Sequence, residues 1–221
     1  MMLSIEWSGS DATSGLNNVE LYYSRDGAAY SAYTGGPFAA SPIAFDASTT
    51  GGEGNYRFYT IASDNAGNLE PAPASPDAQI TIDSQPPAAP VLASLNTWNA
   101  SANLTLSWSS TGDEYMAEAA TDAAFSNIVD ASGWIAADNF NFAGLVDGQS
   151  YWFRTRARDN AGNVSVNSSD EQTTIDTTAP VASLDPLAPL FNAPTFDISW
   201  SGSDATSGLL NIDLYLSLIH I

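Results

Sequence analysis

Apolar and polar residues alternate with period two in short runs along most of the chain. Val19, Leu21 and Tyr23 are interleaved with Glu20, Tyr22 and Ser24, and Leu104, Leu106 and Trp108 with Thr105 and Ser107. Successive side chains of a strand point to opposite faces, so this spacing predicts half-buried β-strands. Gly, Asn and Asp separate the runs, where turns need positive φ or a side chain that folds back onto its own backbone. No segment carries a helical period of useful length. The predicted class is all-β.

The pattern also repeats on a longer scale. The stretch IEWSGSDATSGLNNVELYYS at residues 5–24 returns as ISWSGSDATSGLLNIDLYLS at residues 198–217, identical at 15 of 20 positions and displaced by 193 residues. YRFYTIASDNAGNLE from Tyr56 matches YWFRTRARDNAGNVS from Tyr151 at 9 of 15 positions, a displacement of 95 residues. The tripeptide TID at residues 81–83 returns at 174–176, 93 residues on. One period is therefore about the length of one β-sandwich domain.

Proline-rich segments follow each TID, SQPPAAP at residues 84–90 and TTAP at 177–180. Proline has no amide hydrogen to continue a ladder and favours a stiff, extended chain, so both segments read as interdomain linkers. Three modules are expected: residues 1–83, 84–176 and 177–221. The displacement of 193 residues, two periods, suggests that the first and third are one type with a different second module between them.

In the second module, LTLSW at residues 104–108 and then LVDGQSYWFRTRA from Leu145 resemble the second strand, the Leu-Gly-Tyr corner and the sixth strand of a fibronectin type III domain. The resemblance covers nearly the whole module. It implies that the Tyr151 ring fills the core while its hydroxyl reaches back to the preceding loop. The first module has a second-strand Trp at Trp7 and the corner Tyr at Tyr56. Its WSGSDATSG turn is more similar to bacterial Ig-like repeats of large surface proteins, and GGEGNY stands where the corner Leu is expected. The fold expected from both is a tandem array of immunoglobulin-like, fibronectin type III-like β-sandwiches, with the first and last modules incomplete.

Six residues precede Trp7, whereas about 20 separate Pro180 from Trp200. The first module is therefore expected to lack its opening strand. The third is expected to stop after its third strand and to expose Ile198, Trp200, Leu209, Ile212 and Leu214 on unpaired strands, with aggregation or local disorder beyond about Asp185. The closing LSLIHI breaks the repeat and resembles a translated sequencing adaptor, so the residues after about Tyr215 read as foreign to the module.

Charge changes the functional picture. The chain has 25 acidic and 5 basic residues, a net charge of −20, and every basic residue is Arg. Such a field repels nucleic-acid backbones and anionic lipid surfaces. No apolar run reaches the 18 residues needed to span a bilayer. Cysteine is absent and the single histidine is His220, so thiolate chemistry and a histidine-based triad are both excluded from the body of the chain. Paired carboxylates suffice for glycosidase chemistry, but the acids here sit mostly at repeated turn positions. No catalytic, cofactor-binding or metal-ligating residue is assigned.

Several features carry a structural and a functional reading together. DNAGN at residues 64–68 and 159–163 reads as a tight hairpin turn joining the last two strands, or, with Asp83 or Asp176 at the linkers, as a calcium site. Asp11 and Asp204 cap an internal turn or contribute to a ligand site. Trp152, Arg154, Arg156 and Arg158 share one strand face opposite Tyr151, Phe153, Thr155 and Ala157. They either pair with Glu114 and Glu118 beside Met116 on the neighbouring strand, or form a surface for an acidic glycan or protein partner. Trp98 and Trp134 either pack at edges or stack on sugar rings.

The expected function is that of non-catalytic structural or adhesive spacer modules in an extracellular or cell-surface bacterial protein. Its partners would be the neighbouring modules and, beyond them, a glycan or surface protein, without nucleic acid or membrane insertion. The alternative is a carbohydrate- or protein-binding accessory module of a secreted hydrolase.

Overall fold

The computed structural model describes residues 1–217, so His220 and the end of the LSLIHI tail lie outside the described residues. It contains strands, turns and one short 3-10 turn, and none of its helices is long and apolar enough to cross a membrane. The chain divides into two compact units, Met1–Gln85 and Pro86–Ile221.

The first unit holds β1 (Met2–Ile5), β2 (Leu16–Arg25), β3 (Ser31–Ala32), β4 (Ile43–Asp46), β5 (Gly54–Asp64) and β6 (Ala78–Ile82). β1 pairs antiparallel with β4, and the other four form a sheet in the order β3-β2-β5-β6. The alternation seen in the sequence places Val19 and Leu21 of β2, Tyr56 and Phe58 of β5 and Ile82 of β6 in the core. Ile43 and Phe45 of β4 meet them from the facing sheet, with Leu3 and Ile5 of β1 packed alongside. Two sheets sharing one apolar layer make a sandwich. Phe45 stands edge-on to both Tyr56 and Phe58, at 5.5 and 4.9 Å between ring centroids. Trp7 lies beyond the end of β1 and is only half-buried.

The second unit contains β7 (Val91–Leu92), β8 (Trp98–Asn99), β9 (Leu104–Ser109), β10 (Glu114–Ala120), β11 (Ile128–Ala131), β12 (Asn139–Phe142), β13 (Ser150–Arg158) and β14 (Glu171–Ile175). One sheet runs β12-β9-β7 and the other β11-β10-β13-β14-β8, with β8 parallel to β14. Leu104, Leu106, Trp108 and Phe142 face Tyr115, Ala117, Tyr151, Phe153 and Ile175 across the core. Adjacent strands within a sheet are not all consecutive in the chain, and the connections cross between sheets. This is the wiring of an immunoglobulin-like sandwich, so the expected all-β class is observed.

Further along the same unit, β15 (Val181–Leu184) pairs with β16 (Trp200–Ser203). The third strand expected over the repeat of β2 is not formed: residues 209–217 carry no strand. In the first unit that sequence pairs with β3 and β5. Among the described residues, nothing pairs with its repeat. Trp200 is in a paired strand, contrary to expectation, yet 52% exposed, and Leu214 is exposed as well. Ile198, Leu209 and Ile212 are half-buried around a recess that Trp200 and Leu184 also line.

Candidate functional site

The repeated turns are built from their own amides. The Asp11 carboxylate accepts hydrogen bonds from the amides of Thr13, Ser14 and Gly15 at 3.0, 2.7 and 3.0 Å. Asp204 accepts from Thr206, Ser207 and Gly208 at 3.1, 2.8 and 2.9 Å. Gly15 and Gly208 both take φ of 78°, a left-handed backbone that favours glycine. The amides of Ser14, Thr13 and Gly15 hold the Asp11 carboxyl below the ordinary carboxylate range. For Asp204, burial is the largest single influence and pushes upward, but the three amides together outweigh it.

DNAGN is a turn of the same kind. The Asp64 carboxylate accepts from the side chain and amide of Asn68 and from the amide of Ala66, and these bonds, led by the Asn68 side chain, lower its pKa. Asp159 is held in the same way by Asn163 and Ala161. The linker acids of the same modules are remote: antiparallel β5 and β6 place Ile82 opposite Gly54, at the end of β5 away from Asp64. The ten steps of β5 separate Asp83 from Asp64 by roughly 33 Å. Asp83 accepts instead from the Gln85 amide, and Asp176 from the amides of Thr178 and Ser207. Among the described residues, no three Asp, Glu, His or Cys side chains gather into a group that could hold a metal ion.

The turn does not lead straight into the last strand. After DNAGN the chain returns along β5 or β13 for several residues before β6 or β14 begins, and side chains replace part of the ladder. In the first unit the Ala62 amide donates to the Glu70 carboxylate and the Thr60 amide to that of Asp77. In the second, the Ala157 and Thr155 amides donate to the hydroxyls of Ser165 and Ser168. Pro71, Pro73 and Pro76 lie in the first of these segments, where an unbroken ladder would require amide hydrogens.

The arginines of β13 form a ladder with β10. Register sets Arg154 opposite Glu118, Arg156 opposite Met116 and Arg158 opposite Glu114. Arg154 Nε donates to Glu118 at 2.7 Å and Arg158 Nε to Glu114 at 2.6 Å, whereas Arg156 approaches Glu118 only to 3.8 Å and donates to the Met116 sulfur at 3.1 Å. The Phe125 ring covers Arg154 at 4.0 Å and Trp134 covers Arg158 at 4.5 Å. Trp134 is thus placed by arginines, while Trp98 lies on edge strand β8, 42% exposed. The two indoles do not form one platform. At the lattice position that Glu118 and Arg154 occupy, the first unit carries Tyr22 stacked on Tyr59 at 5.1 Å.

Both units share a further device that sequence reading did not identify, in which a carboxylate in the corner loop clasps the residues that follow TID. Glu53 accepts from the Ser84 hydroxyl, the Ser84 amide at 3.2 Å and the Gln85 side chain at 3.1 Å. Asp147 accepts from the Thr177 amide at 2.6 Å and the Thr178 hydroxyl at 2.7 Å. The Ser84 hydroxyl lowers the pKa of Glu53, and the Thr177 amide that of Asp147. An acid just before the corner Tyr, with Ser or Thr following TID, was the available signal.

No family model and no curated protein matches the sequence. Among solved structures, the chain is similar to the FN1–FN3 domains of chicken CNTN1 (13% identity, TM-score 0.42, covering 79% of this chain and 62% of that one). It is also similar to domains of titin (14%, TM-score 0.43, 80% and 59%). A third similarity is to the fibronectin(III)-like modules of CbhA from Clostridium thermocellum (11%, TM-score 0.39, 79% and 85%). The chain thus spans less than two thirds of the CNTN1 and titin fragments. At these values the fold assignment rests on the strand pairing itself.

Proposed function

We propose that the chain is a stretch of non-catalytic spacer modules, residues 1–83, 84–176 and 177–221, from an extracellular or cell-surface protein. The observation that carries this reading is the linker clasp. A spacer must hold the direction of the chain where one module ends, and Glu53 and Asp147 each fix the first linker residues to the module they leave. The remaining polar features support it, since the turn acids are engaged by their own amides and two of the three ladder arginines by glutamates. The net charge of −20 keeps such a surface soluble and apart from other anionic surfaces.

Pulling the full chain by its ends tests the proposal. Each complete module should release as one discrete step, lengthening the chain by about 30 nm for a period near 93 residues, and a glycan array should stay silent. Saturable binding of one glycan would replace the spacer with a carbohydrate-binding accessory module.

A further inference from the structure

Asp176 closes the TID of the second module, and its backbone belongs to that module: its amide donates to the Asn99 carbonyl at 2.9 Å, beside the parallel pair of β8 and β14. Its side chain reaches elsewhere. One carboxylate oxygen accepts the Thr178 amide at 3.2 Å and the other the Ser207 amide at 3.0 Å, 31 residues further along the chain. Ser207 lies in the DATSG turn that follows β16, and its amide donates to Asp204 as well, at 2.8 Å. Asp176 is only 8% exposed. A carboxylate leaves water at a cost that its hydrogen bonds must offset, so this one favours the placement of the third module that brings the Ser207 amide to it.

The turn closes without this bond. In the first unit the same turn closes on Asp11, and among the described residues no second carboxylate accepts from the amides of Thr13, Ser14 and Gly15. There its carbonyls are engaged instead: Asn65 of DNAGN donates its side chain to the Ser14 carbonyl at 2.8 Å and its amide to the Gly15 carbonyl at 3.0 Å. The turn thus offers its carbonyls to its own module and keeps an amide for another. We propose that the DATSG turn is a docking surface for the terminal aspartate of the module ahead of it, and that Asp176 on Ser207 is this joint. Where the second module follows the first, Trp108 leads into SSTGDE and no DATSG turn is present, so the joint belongs to a module of the first type that follows one of the second. The inference rests on the spacer reading and deepens it: the Asp147 clasp fixes the linker to the module it leaves, and Asp176 fixes the module it enters.

Residual dipolar couplings of the full chain test the joint. In the native chain, the amides of residues 104–175 and of residues 181–208 should fit one alignment tensor. In Asp176→Ala the couplings of residues 181–208 should shrink by about half or more, as for modules that move independently, while those of residues 104–175 keep their magnitude. Hydrogen exchange at the Ser207 amide should quicken by about tenfold, the worth of a hydrogen bond to a charged acceptor, with Thr206 and Gly208 unchanged because Asp204 still holds them. Asp176→Asn keeps an acceptor oxygen and should restore most of the lost coupling. Averaged couplings for residues 181–208 in the native chain, or native couplings in Asp176→Ala, would overturn the inference. So would equal quickening at Thr206 and Gly208, which would make Asp176 a support of the turn, or altered couplings of residues 104–175 in both variants, which would make it a support of the second module. Saturable glycan binding would remove the spacer reading without moving any of these couplings.

Discussion

The corner tyrosines show how much one hydroxyl is asked to hold. Tyr151 is nearly buried and its hydroxyl accepts the Val146 amide at 3.0 Å, while Tyr56 donates to the Gly52 carbonyl at 2.8 Å. The resemblance to fibronectin type III implied this arrangement for Tyr151. It forms in the first unit too, without the corner leucine, and Ala47 of the short 3-10 turn Ala47–Thr50 is buried in the same core. Removing the hydroxyl keeps the ring and loses one net hydrogen bond. Tyr151→Phe should therefore cost about 1 kcal/mol, read as a lower urea midpoint with an unchanged slope. A change in slope would mean that the ring, too, had shifted.

At the scale of the element, the face on which the arginines lie was legible because strand side chains alternate, and their partners because β10 is the next outer strand. What each pair is worth was not legible, since that depends on burial. The side chains of Arg154 and Glu118 are 22% and 9% exposed, whereas those of Arg158 and Glu114 are 35% and 40% exposed. A double-mutant cycle on Arg154→Ala and Glu118→Ala should give a coupling of about 1–2 kcal/mol. The Arg158–Glu114 cycle should give less than about 1 kcal/mol, shrinking further in salt. Equal couplings would show that burial does not rank the two rungs. The segment after DNAGN was not legible for a related reason. A turn motif marks where the chain reverses, but whether the returning strand ladders by backbone or by side chain depends on which acceptors meet Ala62, Thr60, Ala157 and Thr155 across the gap.

For the whole molecule, the decisive contacts are the clasps at Glu53 and Asp147. Both carboxyls have pKa values below their ordinary ones, so the stabilisation they give is fully present above about pH 4.3 for Glu and 3.9 for Asp. It is lost as pH falls through the lower values of the folded protein. NMR order parameters for the amides of Ser84 and Gln85, and of Thr177 and Thr178, should be near about 0.85 at neutral pH. They should fall below about 0.6 in Glu53→Ala and Asp147→Ala respectively, or in the native chain once the clasps are protonated. Unchanged order parameters would show that the carboxylates do not order these residues. The chain by itself determined the β class, the period of 93 to 95 residues and the inward face of each long strand, because these follow from local periodicity and turn chemistry. The tertiary structure alone decided which segments become strands. Residues 5–24 and 198–217 are nearly the same sequence, and their Asp11 and Asp204 turns close alike on local amides. Yet β2 forms only where β3 and β5 lie beside it. A turn satisfies its hydrogen bonds within itself, whereas a strand needs a neighbour to satisfy them.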